Sequence, residues 1–211
     1  MTEQEWLTAT DPWLMHWVLD AELTSKRKPR LFVCAYCRFL WDFLTDEPAL
    51  NALRVAELFA DGETTEEERE GAILDLNDVD FSHPTNSVRD SLLTEAGIAL
   101  TQTFHPPAKA WHEEFGIRMP HARLMREIFG NPFRTISFNA AWRTSTVTRV
   151  AQTIYDDRHL PSGLFDNQRM GILADALEEA GCDNTDILEH CRQGGEHVRG
   201  CWVVDLVLGK Q

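Results

Sequence analysis

The stretch RLFVCAYCRFLWDFL, Arg30 to Leu44, leaves this chain fewer ways to fold than any other segment. From Leu31 onward it is apolar nearly all round, broken only by Arg38 and Asp42, and it is too short to span a bilayer. A helix apolar over most of its circumference must be covered on every side, which puts it in the middle of a helical bundle. Arg38 and Asp42 lie four apart and would share one face of that helix, where they can pair.

The remaining sequence supplies neighbours for such a helix. Thr2 with Glu5 forms a capping-box pattern ahead of Trp6, and Thr10-Asp11-Pro12 is a second helix start with proline in the first turn. The spacing of apolar residues, prolines and glycines predicts further helices over 47–60, 64–76, 86–103, 108–115, 120–129, 147–155, 165–180, 185–191 and 198–208. Arg134–Phe138 is the one place where a short strand is allowed. The expected fold is mainly α, a multi-helix orthogonal bundle with at most one short strand or hairpin. Residues 1–211 are expected to form a single helical domain, with a weak division near residue 105 as the alternative. Seven Trp and eleven Phe in a 43% hydrophobic chain are enough to core it.

Charge narrows the function classes. The net charge is −14, and Asp61–Asp80 alone holds nine acidic residues and one basic one. Such a surface disfavours direct nucleic-acid binding and an anionic membrane. The acidic stretch is expected to be a solvated helix and loop, and its Glu66, Glu67 and Glu68 are candidate partner-binding residues for a chain that imitates nucleic acid on a basic groove. No secretory leader pattern opens the sequence, and five cysteines is an odd number, so reduced thiols in a cytoplasm are expected.

Cysteine and histidine carry the only chemistry that stands out. Cys34 and Cys37 form a CxxC, and His190, Cys191, His197 and Cys201 crowd into twelve residues near the other end. Zinc takes thiolate and imidazole ligands in tetrahedral sets, so Cys34, Cys37, His197 and Cys201 are candidate ligands drawn from both ends of the chain. The alternative reading of the CxxC, inside an apolar run, is two small buried hydrophobes. His197, Cys201 and Asp205 would stack on one face of a helix, but the cysteine then lies between the other two, the wrong order for a thiol activated by an imidazole. Asp75, Asn77, Asp78 and Asp80 are rich in oxygen ligands, yet the glycine and glutamate that a calcium loop needs are missing. No phosphate-binding glycine loop, nucleophile elbow or HExxH is present. No catalytic residues are assigned.

Several segments together, EWLTATDP at 5–12, RLFVCAYCRFLW at 30–41, REIFGNPFR at 126–134 and ILADALEEAGCDNTDILEHCR with HVRGCWVVDLVLGK, resemble a family of uncharacterised bacterial proteins of planctomycete type. The resemblance covers both ends of the chain and implies a cytoplasmic bacterial protein that stands on its own. It implies no activity, substrate or cofactor. The function expected from the sequence is a non-catalytic, acidic, helical protein-interaction or regulatory module with a protein partner. The alternatives are a structural zinc protein and an acidic nucleic-acid mimic.

Overall fold

A computed structural model describes residues 1–19, 26–43, 46–76 and 121–210. The described residues form ten α-helices and two short 3-10 turns, with no strand. The chain divides into two compact units, Met1–Arg126 and Glu127–Gln211. The helices expected over 86–103 and 108–115, and most of the oxygen cluster after Asp75, lie outside the described residues.

In the first unit α1 (Glu3–Thr8) opens with the expected capping box, Thr2 and Glu5 each holding the other's backbone N–H. α2 (Pro12–Leu19) follows. α3 (Arg27–Phe39) is the apolar run, and every side chain from Arg30 to Arg38 is buried, as a central helix requires. It packs against α4 (Glu47–Ala60), which in turn packs on α5 (Glu66–Asp75). The helix stops at Phe39, so Arg38 and Asp42 do not share one helical face; Asp42 sits in the 3-10 turn Trp41–Phe43. Arg38 instead reaches across to α4, donating from Nε and Nη2 to the two carboxylate oxygens of Glu57 at 2.6 and 2.7 Å. This two-pronged geometry suits a planar guanidinium and satisfies both charges inside the core. Arg27 ties the start of α3 to Asp61 at the end of α4, 2.9 Å apart. Arg126, in the last residues of the unit, donates to the carbonyls of Trp6 and Ala9 and so closes the free end of α1.

α6 (His121–Phe129) contains the boundary between the two units, which falls after Arg126. The second unit continues with α7 (Ser145–Asp156), α8 (Asn167–Glu179), α9 (Thr185–Arg192) and α10 (Trp202–Leu208). Thr144, Asp166 and Asn184 each cap the helix that follows through a side-chain oxygen. α7 packs on α8 and α10, and α9 on α8 and α10, around Val147, Ile154, Leu173, Val203 and Val207. Arg143 donates to the carbonyls of Leu206 and Val207, which α10 leaves open at its end.

The short strand allowed at Arg134–Phe138 does not form: Arg134 closes a turn on Asn131, no described segment offers a ladder, and Phe138 packs edge-on against Trp142. The last helix begins at Trp202 rather than at Val198, with Cys201 as its N-cap residue. No described helix is long and apolar enough to cross a membrane.

Candidate metal centre

The late start of α10 decides what the C-terminal histidines and cysteines do. Residues 193–201 leave the helix, so His197, Cys201 and Asp205 do not stack on one face. The loop is pinned instead from inside the second unit. The carbonyl of His197 accepts from the N–H of Phe165 at 2.7 Å, and Cys201 N–H bonds Val198 O at 2.9 Å. The loop therefore turns the His197 ring and the Cys201 thiol inward, where they meet His190 of α9 and Glu127 of α6.

Four donor atoms, one from each of Glu127, His190, His197 and Cys201, lie within 4.8 Å of one another, and all four residues are buried. His197 Nδ1 is 3.1 Å from Glu127 Oε2, and His190 Nε2 is 3.3 Å from the same oxygen. His190 Nε2 is also 3.2 Å from Cys201 Sγ. A tetrahedral zinc site has ligand-to-ligand edges of about 3.3–3.6 Å, given its usual bond lengths. The group can hold a metal ion: its donors are of the right kinds, close together and drawn from three separate stretches of chain.

The surrounding hydrogen bonds fix where the protons sit. The Trp202 indole N–H, which can only donate, points at His190 Nδ1 from 3.1 Å, so that nitrogen carries a lone pair. The Gln193 side-chain amide lies 3.1 Å from the same atom. A neutral His190 therefore bears its hydrogen on Nε2, the atom facing Glu127 and Cys201. Burial, opposed by Glu127 and reinforced by His197, lowers the His190 pKa to about 4 and keeps the ring neutral. His197 differs: both its nitrogens face acceptors, Nδ1 the Glu127 carboxylate and Nε2 the Gln193 carbonyl at 3.2 Å. Burial disfavours its charged form, but the hydrogen bond to Glu127, that carboxylate's charge and the Gln193 carbonyl outweigh it, and the His197 pKa is raised. Burial above all holds the Cys201 thiol well above its ordinary pKa.

These proton positions argue against a nucleophilic cysteine. An imidazole that activates a thiol must present a bare nitrogen to it, and His190 presents Nε2–H. Cys201 and His197 are moreover 0% and 1% exposed, which leaves a substrate no route to the sulfur.

His197 and Cys201, two of the sequence-predicted ligands, are brought together here. Cys34 and Cys37 are buried in α3 of the first unit, whereas the group around Glu127 is built wholly from the second. Glu127 and His190 complete it. A signal for Glu127 was present in the sequence, since it falls on the same stripe of α6 as Leu124 and Ile128, both buried, where a lone carboxylate needs a partner. Glu66, Glu67 and Glu68 occupy the first turn of α5. Two of them serve the helix locally: Glu68 closes a capping box with Thr65, and Glu66 pairs with Arg69.

No family model, no curated protein and no solved structure matches this chain.

Proposed function

We propose that the second unit is a non-catalytic helical module in which Glu127, His190, His197 and Cys201 hold a structural divalent cation, zinc by its donor chemistry. What carries this reading is the convergence of four donor atoms of three kinds within 4.8 Å in a buried setting. Oxygen, imidazole nitrogen and thiolate sulfur together suit zinc and exclude the hard cations that want oxygen alone. The charge count supports it. A carboxylate and a thiolate bring −2, which a divalent cation cancels, and a metal bound at His197 Nδ1 would leave Nε2–H on the Gln193 carbonyl, the partner a ligating histidine usually has. The Val198 N–H at 3.4 Å steadies Glu127 Oε1. The ion would clamp α6, α9 and the loop before α10 around one point. Five free, buried cysteines suit a reducing bacterial cytoplasm, and the family resemblance noted above is part of the same reading.

The test is the metal content of the full chain purified under reducing conditions, with melting curves before and after chelation. About one zinc per chain and a lower melting temperature after chelation are expected. Cobalt replacing zinc should give a thiolate-to-metal absorption band that Cys201→Ser removes. Protein that takes up no stoichiometric zinc and melts identically with or without it would overturn the reading.

A second reading, the protein-interaction module, is favoured by the first unit. Leu14 and Trp17 are 56% and 61% exposed and line an open cleft of about 720 Å³ with Met1, Ala9, Glu5 and Asp11. Its apolar floor of Leu14 and Trp17 and its acidic Glu5 and Asp11 suit an amphipathic partner helix carrying Lys or Arg. A cationic amphipathic helical peptide should blue-shift the emission of the wild type but not of Trp17→Phe. No shift at saturating peptide would overturn this reading.

A further inference from the structure

Resting on the zinc reading of the Glu127 centre, we propose that Trp202 is a positioning residue that opposes metal loading, because its hydrogen bond to His190 and a metal on that ring exclude each other. The indole N–H reaches Nδ1 from 3.1 Å and requires a lone pair there. The nitrogen aimed at Glu127 and Cys201 is Nε2. A metal on Nε2 needs the lone pair of that nitrogen, so a neutral ring must then carry its hydrogen on Nδ1. Two N–H groups would face each other across the 3.1 Å gap, and the indole has to withdraw.

Gln193 supplies the replacement. Its side-chain amide is also 3.1 Å from Nδ1 and, turned end for end, offers an oxygen to the new Nδ1–H. His190 would then have the outward acceptor that orients a ligating imidazole. Trp202 is not free to drift without consequence. Its ring lies 5.0 Å from His190, a Cβ placed on Gly130 would come within 3.3 Å of its Cγ, and it is the first residue of α10. Loading the site therefore disturbs the packing at the start of α10, and the indole hydrogen bond favours the His190 tautomer that cannot ligate through Nε2.

The experiment uses the full chain, stripped of metal and titrated with Zn²⁺ alone. The Trp202 indole N–H resonance is identified by its absence from Trp202→Phe, and zinc affinity is measured by chelator competition for both proteins. On loading, the indole resonance should move upfield as its hydrogen bond is lost, and the His190 nitrogens should exchange their protonated and bare signatures. Trp202→Phe, with no such bond to break, should bind zinc about three- to tenfold more tightly than wild type. A tryptophan that merely packs the site would give the opposite sign, weaker binding. Zinc bound at one per chain with the indole resonance unmoved would overturn the inference and leave the zinc reading standing, and so would a weaker Trp202→Phe. No zinc bound by either protein would sink the zinc reading and this inference with it. If Trp202→Phe folds poorly, the His190 nitrogens of the wild type decide alone: an exchange of their protonated and bare signatures on loading supports the inference, and no exchange overturns it.

Discussion

Both units bury a carboxylate, and they neutralise it in different ways. In the first, Glu57 meets Arg38, whose planar guanidinium fits both oxygens at once. In the second, Glu127 meets two imidazoles and a thiol, groups that exist with or without their protons. Burial favours the proton on Cys201 and Glu127 favours one on His197, and the proposed divalent cation would replace both without changing the buried charge. A buried charge with a partner is thus no sign of a site by itself. The sign is a partner set whose protons can be exchanged for something else.

The largest expected effect tests the fixed side of this contrast. Arg38→Ala removes the guanidinium that both oxygens of Glu57, 2% exposed, accept from, and should cost about 3–5 kcal/mol of stability by denaturant titration. Added zinc should leave that cost unchanged. Cys201→Ala should behave in the opposite way, with a cost in metal-free protein of about 1–2 kcal/mol that grows when zinc is supplied. Equal zinc dependence for the two variants would erase the distinction between the units.

Proton exchange gives the next effect. Below the raised pKa of His197, each zinc must displace one proton from that ring and one from Cys201, so each unit of falling pH should weaken binding about a hundredfold. Above it only the thiol proton remains to be displaced, and the slope should drop to about tenfold. Competition titrations at several pH values measure this; a flat profile would break the exchange picture. In the metal-free protein the two histidines act in opposite senses. His197, with its folded pKa raised, lends stability that is complete below the unfolded value near 6.5 and is lost as pH rises through the folded value. His190, lowered to about 4, lends stability above 6.5 that is lost as pH falls toward 4, and His190→Gln should remove that acid limb.

A smaller effect concerns reactivity. Burial pushes the Cys191 thiol up to about 12 and Cys201 well above its usual range, so neither should react with a thiolate-seeking reagent in native protein near neutral pH. Rapid modification of Cys201 without unfolding would reopen the case for nucleophilic chemistry.

Local patterns carried most of the fold. Capping residues and apolar spacing marked α1, α4, α5 and α7–α9 closely, because such signals act within a turn or two of chain. The start of α10 was misplaced because Val198 stands three and four residues before Cys201 and Trp202, a helical spacing, yet the N–H of Val198 is used by Glu127 and its carbonyl closes a turn on Cys201. The centre was half legible. His197 and Cys201 stood out by residue type, and His190 stood beside them in the same crowded stretch. Glu127 lies 70 residues before His197, and no local rule joins them. Arg38 taught the same lesson in the first unit: Asp42 was the neighbour in sequence, and Glu57, 19 residues on, is the partner in space.

The smallest prediction compares one glycine from each unit. Gly62 and Gly130 both adopt left-handed backbone, at φ +72° and +70°, where an alanine costs about 1–2 kcal/mol. A Cβ at Gly62 would meet nothing within 4 Å, whereas one at Gly130 would press on Trp202 Cγ from 3.3 Å. The backbone terms are alike, so the difference between Gly62→Ala and Gly130→Ala isolates the push on the indole. That difference should be a few tenths of a kcal/mol in metal-free protein, and it should shrink when zinc is bound, since the indole has by then left His190. An excess for Gly130→Ala that zinc leaves untouched would mean that Trp202 holds its position in both states, and the second unit would then be as fixed in its pairing as the first.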